Sequence, residues 1–187
     1  MKHLPLVAMC LVSACGGATT GHVTFHAPIE VEPYRAINEL TPLDEVPLNG
    51  SAQYSGTIGF GSNDVNTIDD ARVVGDMALD VDFRRDRVSG TSDRFVDRLT
   101  GERLTGALES DLRIYRDAED TASDALAGFT DGILRRPNGR RVDVELDVFG
   151  DFYGTRGRRI AGTVEGEAKG LAVSPTDTVN GVFDVRR

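Results

Sequence analysis

The chain has 187 residues, 40% of them hydrophobic, which suits one domain with a sizeable core. Its formal charge is -9, and of 21 basic residues only Lys2 and Lys169 are lysines, so the surface is acidic overall and no nucleic-acid partner is expected. The 21 glycines and the absence of Trp point to many turns and close backbone packing, and no apolar run reaches the roughly 18 residues that a membrane-spanning helix needs.

The chain opens with Lys2 and His3 followed by a short apolar stretch, residues 4–11, the pattern of a secretory signal peptide. That stretch ends in Val12-Ser13-Ala14-Cys15, small residues before a Cys, as in a bacterial lipobox. Residues 1–14 are therefore read as a lipoprotein signal peptide and Cys15 as the lipidation site, carrying palmitate or a related acyl chain. Cys10 would leave with the signal, so no disulfide is expected and stability must come from the core. Residues 15–49 show no sustained period and carry Pro28, Pro33, Pro42 and Pro47, the composition of a tether that reaches roughly 30 Å as a random coil. Within it, His22-Val23-Thr24-Phe25 and residues 34–40 are varied enough to dock locally.

From residue 50 onward, short alternating segments recur at regular spacing, which argues for an all-β sandwich or barrel. Strands are predicted over 53–60, 76–83, 88–96, 104–114, 126–134, 142–148, 160–169 and 180–185. In the second, Met77, Leu79, Val81 and Phe83 share a face opposite Asp76, Asp80 and Asp82. In the sixth, Val142, Val144, Leu146 and Val148 alternate with Asp143, Glu145 and Asp147. Glycine recurs beside a small residue inside the strands, at Gly56, Gly90, Gly106, Gly128 and Gly162. Such residues weaken a flat strand and mark bends where a closing sheet must coil. The fold expected is an eight-stranded antiparallel up-and-down β-barrel spanning 50–187, preceded by the signal peptide and the tether.

The inward residues Phe60, Met77, Leu79, Phe83, Leu108, Leu112, Leu146 and Val164 are large enough to fill a barrel of this strand number. No catalytic constellation is present: His3, His22 and His26 all precede the barrel, and there is no nucleophile elbow, phosphate loop or paired-Cys spacing. The chain is not expected to be an enzyme, nor to carry a cofactor or metal. Asp64, Asn66, Asp69 and Asp70 share one acidic loop but lack calcium-loop spacing and read as solvated.

Up-and-down order sends alternate connections to opposite poles. The pole where the tether enters would gather Arg84, Arg85, Arg87, Arg156, Arg158 and Arg159 as a basic rim near the lipid surface. The other pole would present Asp64, Asn66, Arg136, Asn138, Arg140, Ser174 and Thr176, the expected surface for a partner, since binding residues concentrate on loops of a rigid scaffold.

Near the end of the chain stand Gly150-Asp151-Phe152-Tyr153-Gly154, then Ala161-Gly162-Thr163, then Gly181-Val182-Phe183; earlier, Val81-Asp82-Phe83 leads through a turn to Ser89-Gly90-Thr91. In order and spacing these motifs resemble the closing strands and a hairpin of the lipidated surface barrels of the transferrin-binding protein B type. Thr155-Arg156 and Arg159 depart from that family's pattern, and this chain has room for one barrel where the family has two lobes. The resemblance implies a lipid-anchored outer-membrane barrel on the cell surface, and the leading expectation is a monomer that binds an extracellular protein or solute. Two other classes are a lipocalin-like carrier of a hydrophobic ligand and a structural envelope lipoprotein.

Overall fold

A computed structural model describes residues 39–62, 64–116, 124–171 and 177–187. Its strands are β1 (Ser51–Gly61), β2 (Val73–Asp82), β3 (Arg87–Asp97), β4 (Glu102–Arg103), β5 (Thr105–Ile114), β6 (Leu126–Arg135), β7 (Arg141–Tyr153), β8 (Arg159–Lys169) and β9 (Thr178–Arg186). Every pairing is antiparallel. Apart from the two-residue β4, which extends the end of β3, the strands follow one another around a ring, and β9 closes onto β1 with Ile58 opposite Phe183. The eight expected staves are all present, in the expected order.

The alternation read from the sequence sets the faces. Along β2, Val73, Met77, Leu79 and Val81 are buried while Asp76, Ala78 and Asp80 are exposed. Along β7, Val142, Val144, Leu146, Val148 and Phe152 are buried. The eight residues expected to fill the barrel are each at most 2% exposed, and they belong to one continuous apolar cluster. Phe60 meets Phe95 edge to face at 6.1 Å and Phe83 tilts against Phe152 at 6.2 Å. Each such fully buried side chain contributes about 2 kcal/mol of apolar burial.

The mid-strand glycines stand where neighbouring strands cross most closely. A Cβ on Gly56 would overlap the carbonyl oxygen of Asp184 on β9, and one on Gly162 that of Phe149 on β7. One irregularity interrupts β3: its register against β2 shifts between Val74 and Asp76, and Arg94 there has a left-handed φ of 54°. This bulge moves the inward position from Ser92 to Phe95, so that Phe95 and Asp97 point inside.

Residues 39–49, the barrel-side end of the expected tether, pack across the entry pole. Leu40 bridges Tyr153, the Thr41 N–H donates to the Phe152 carbonyl at 2.8 Å, and the Gly154 N–H donates to the Glu39 carbonyl at 2.9 Å. Val46 is 1% exposed and joins the core. Arg116 pins the segment: its guanidinium donates to the Val46 and Pro47 carbonyls at 3.3 and 2.8 Å and pairs with Asp86 at 2.6 Å. Cys15 and the rest of the tether lie outside the described residues, as does most of the acidic connection between β5 and β6.

Candidate functional site

The topology delivers two poles and a wall. The β2–β3, β5–β6 and β7–β8 connections lie at the entry pole with residues 39–49. The β1–β2, β3–β5, β6–β7 and β8–β9 connections lie at the far pole.

The far pole is built around a buried carboxylate. Asp97, at the inward end of β3, is fully buried and accepts from Arg72 Nε and Nη2 at 3.1 and 2.9 Å, from Arg136 Nη2 at 3.1 Å and from the Leu99 N–H at 3.1 Å. Burial alone would raise its pKa, but the Arg72 and Arg136 guanidinium groups and the Leu99 N–H outweigh that and hold it below the ordinary carboxylate range. Arg136 also pairs with Glu102 at 2.5 Å and donates to the Leu171 carbonyl at 3.2 Å. Its burial works against the charge, yet Glu102 and Asp97 raise its pKa. One ionic network thus ties together four connections. Arg98 adds a further link, donating to the Ile68 carbonyl at 2.8 Å, as does the Val65 N–H donating to Asn180 Oδ1 at 2.9 Å.

Of the residues expected to meet a partner, Asp64, Asn66, Asn138 and Arg140 are exposed at this pole, and Asn138 Oδ1 accepts from the Arg140 N–H at 2.9 Å. Arg136 is instead buried in the network beneath them. Ser174 and Thr176 lie outside the described residues. In the acidic loop, Asp70 accepts from the Thr67 hydroxyl and N–H, a local turn. Among the described residues no three acidic, His or Cys side chains converge as metal ligands would. Sequence reasoning missed Arg72, Asp97 and Glu102, whose partners are 25 to 39 residues away in the chain.

At the entry pole, Arg84 and Arg156 are exposed. Arg85 pairs with Asp82 at 3.0 Å, Arg87 with Asp111 at 3.2 Å, and Arg159 with Asp184 at 2.8 Å while lying 5.3 Å from the centre of the Tyr153 ring. The Arg158 carbonyl accepts from the Arg187 N–H, and the Tyr54 hydroxyl donates to the Gly157 carbonyl at 2.5 Å. The rim is therefore partly neutralised by neighbouring carboxylates.

No family model matches the chain, and no curated protein matches it. Solved structures do. The vaccine antigen transferrin binding protein B of Haemophilus parasuis Hp5 superposes with a TM-score of 0.52 at 19% identity, over 79% of this chain and 29% of that one. Intact Ap-TbpB, with its N and C lobes, gives a TM-score of 0.45 at 18% identity, over 79% and 28%. The chain thus spans less than a third of the structures it matches. The barrel described above shares its fold with a part of the transferrin-binding protein B of Haemophilus parasuis.

Proposed function

We propose that this chain is a non-catalytic lipoprotein, anchored at the outer-membrane surface through Cys15, whose barrel binds an extracellular protein or solute at the pole away from the anchor. The observation that carries this reading is the asymmetry of the barrel. The N-terminal segment packs across one pole, while at the other a buried ionic network holds four connections with Asp64, Asn66, Asn138 and Arg140 exposed. A scaffold fixed in this way presents loop side chains with little ordering cost on binding. In this reading Arg136 keeps the pole closed, and the exposed neighbours, with Ser174 and Thr176, meet the partner. The filled interior speaks against the carrier reading, which needs a lumen.

Two experiments test the proposal. Palmitate labelling should mark the wild-type chain and vanish in Cys15→Ala, and protease added to intact cells should cleave the exposed protein. A protein that is unlabelled, or protected until the cells are lysed, would refute surface anchoring. Transferrin is the first partner to test by interferometry, because the matched structures are named for binding it. Whatever partner is found, Asp64→Ala/Asn66→Ala/Asn138→Ala/Arg140→Ala should weaken its binding about tenfold, and an unchanged affinity would refute the loop site. The entry rim is proposed to face anionic head groups. Replacing Arg84, Arg85, Arg87, Arg156, Arg158 and Arg159 by Gln should abolish binding of the unlipidated chain to phosphatidylglycerol vesicles.

A further inference from the structure

The outer wall formed by β5, β6, β7 and β8 is zoned by charge. The register places Glu109 opposite Asp131, Asp131 opposite Glu145, and Glu145 opposite Glu167, an unbroken row of four carboxylates across four strands. The adjacent row runs Asp111, Phe129, Asp147, Glu165. Basic side chains sit beyond these rows, with Arg135 opposite Arg141 towards the far pole and Arg87 opposite Arg113 towards the entry pole. Within the two rows, Asp111 and Glu167 have ion pairs, with Arg87 and Lys169. Glu109, Asp131, Glu145, Asp147 and Glu165 have none among the described residues. Like charges directly opposite one another destabilise a sheet, and a soluble wall ordinarily interleaves the two signs. On either side of Asp131 stand Phe129 and Ile133, 49% and 38% exposed, over an open groove of about 690 Å3 that Glu145, Asp147 and Glu167 also line; Arg141 and Lys169 line it too, each paired with a carboxylate, Asp143 and Glu167.

We propose that this wall is a docking surface for a basic, extended segment of a partner protein. The complementarity is geometric as well as electrostatic. Four carboxylates on adjacent strands span roughly 14 Å, three steps of about 4.8 Å. Alternate side chains of an extended peptide are about 6.7 Å apart, so three cationic residues on one face cover roughly 13 Å. A bulky apolar residue at another position of that same face would rest on Phe129 or Ile133. The chain itself supplies no such segment: residues 1–38 carry only Lys2 and Arg35 as basic residues, against Glu30 and Glu32. The described strands β5, β6, β7 and β8 are each paired on both sides, so recognition on this wall falls to its side chains.

The test uses the full chain and a capped peptide of about seven residues in which arginine and one phenylalanine occupy alternate positions, on one face, with serine at the positions between them, and fluorescence anisotropy is read at low and moderate salt. The wild type should bind it and should not bind the same peptide with glutamate in place of arginine. Asp131→Lys/Glu145→Lys should weaken binding at least tenfold, and Phe129→Ser about fivefold. Both should melt no lower than about the wild-type temperature, since the first relieves repulsion and the second alters an exposed site. If the lysine pair fails to fold, Asp131→Asn/Glu145→Gln should still weaken binding severalfold. The Asp64/Asn66/Asn138/Arg140 quadruple variant should bind the peptide like wild type, which separates this surface from the loop site. Unchanged binding by the wall variants would overturn the proposal. So would a Phe129→Ser variant as tight as wild type with an all-lysine peptide binding equally, which would reduce the wall to unspecific charge.

Discussion

Replacing Asp97 by Asn should cost the protein more stability than any other single carboxylate among the described residues. The side chain is fully buried, and its charge is shared by Arg72 and Arg136, themselves 13% and 8% exposed. Removing one partner of a buried ion pair typically costs about 3–5 kcal/mol, because the remaining charge is left without compensation. Glu102 still balances part of the Arg136 charge, so the lower end applies, about 3 kcal/mol. For a domain of this size that is a fall in Tm of roughly 10 °C. The folded state holds the Asp97 pKa below the unfolded value of about 3.9, so its contribution is complete at neutral pH and fades as pH drops below about 4 through the folded pKa. Thermal melts followed by circular dichroism at pH 7 and pH 3 should show a large gap between wild type and Asp97→Asn that narrows in acid. Asp143→Asn, at a half-exposed pair with Arg141, should stay within about 0.5 kcal/mol of wild type. A variant within about 1 kcal/mol of wild type at pH 7, or a gap that widens in acid, would refute the assignment of Asp97 as the keystone of the far pole.

Gly162→Ala should destabilise by about 2–3 kcal/mol, because its Cβ would press on the β7 backbone, whereas Gly139→Ala, in open space at φ 81°, should cost only about 1 kcal/mol of backbone strain; urea titrations would show both. Arg116→Ala removes the charged donor that holds the Val46 and Pro47 carbonyls. It should cost about 2 kcal/mol, and limited proteolysis should then cut within residues 39–49 severalfold faster than in the wild type.

The staves were legible because a half-buried strand must alternate, and the runs around Met77 to Phe83 and Val142 to Val148 do so without exception. The recurring glycines were legible for a related reason: a small barrel brings neighbouring backbones too close for side chains at its tightest bends. The bulge left a trace that parity reveals, since Val88 and Phe95 are seven residues apart, yet both are buried. Asp97 left none. It reads as an ordinary turn residue after a strand, and its burial depends on Arg72 and Arg136 arriving from other connections. Arg136 read as a partner-facing loop arginine for the same reason. Local docking was expected only as far as Leu40; that of residues 41–49 was hidden, because an irregular segment with prolines shows no period whether it packs or not. The acidic rows on the wall were visible strand by strand as a wet face. Their juxtaposition depends on register, which only the paired strands supply.

The separation of an entry pole from a far pole depends on the ring being closed between its first and last strands. Nuclear Overhauser contacts across that seam test it most directly. Closure predicts backbone cross-peaks joining Gly56 to Val185, Ile58 to Phe183 and Phe60 to Gly181, with slowly exchanging amides along both strands. A spectrum in which β1 contacts β2 but nothing on β9, with fast exchange along that edge, would contradict the account.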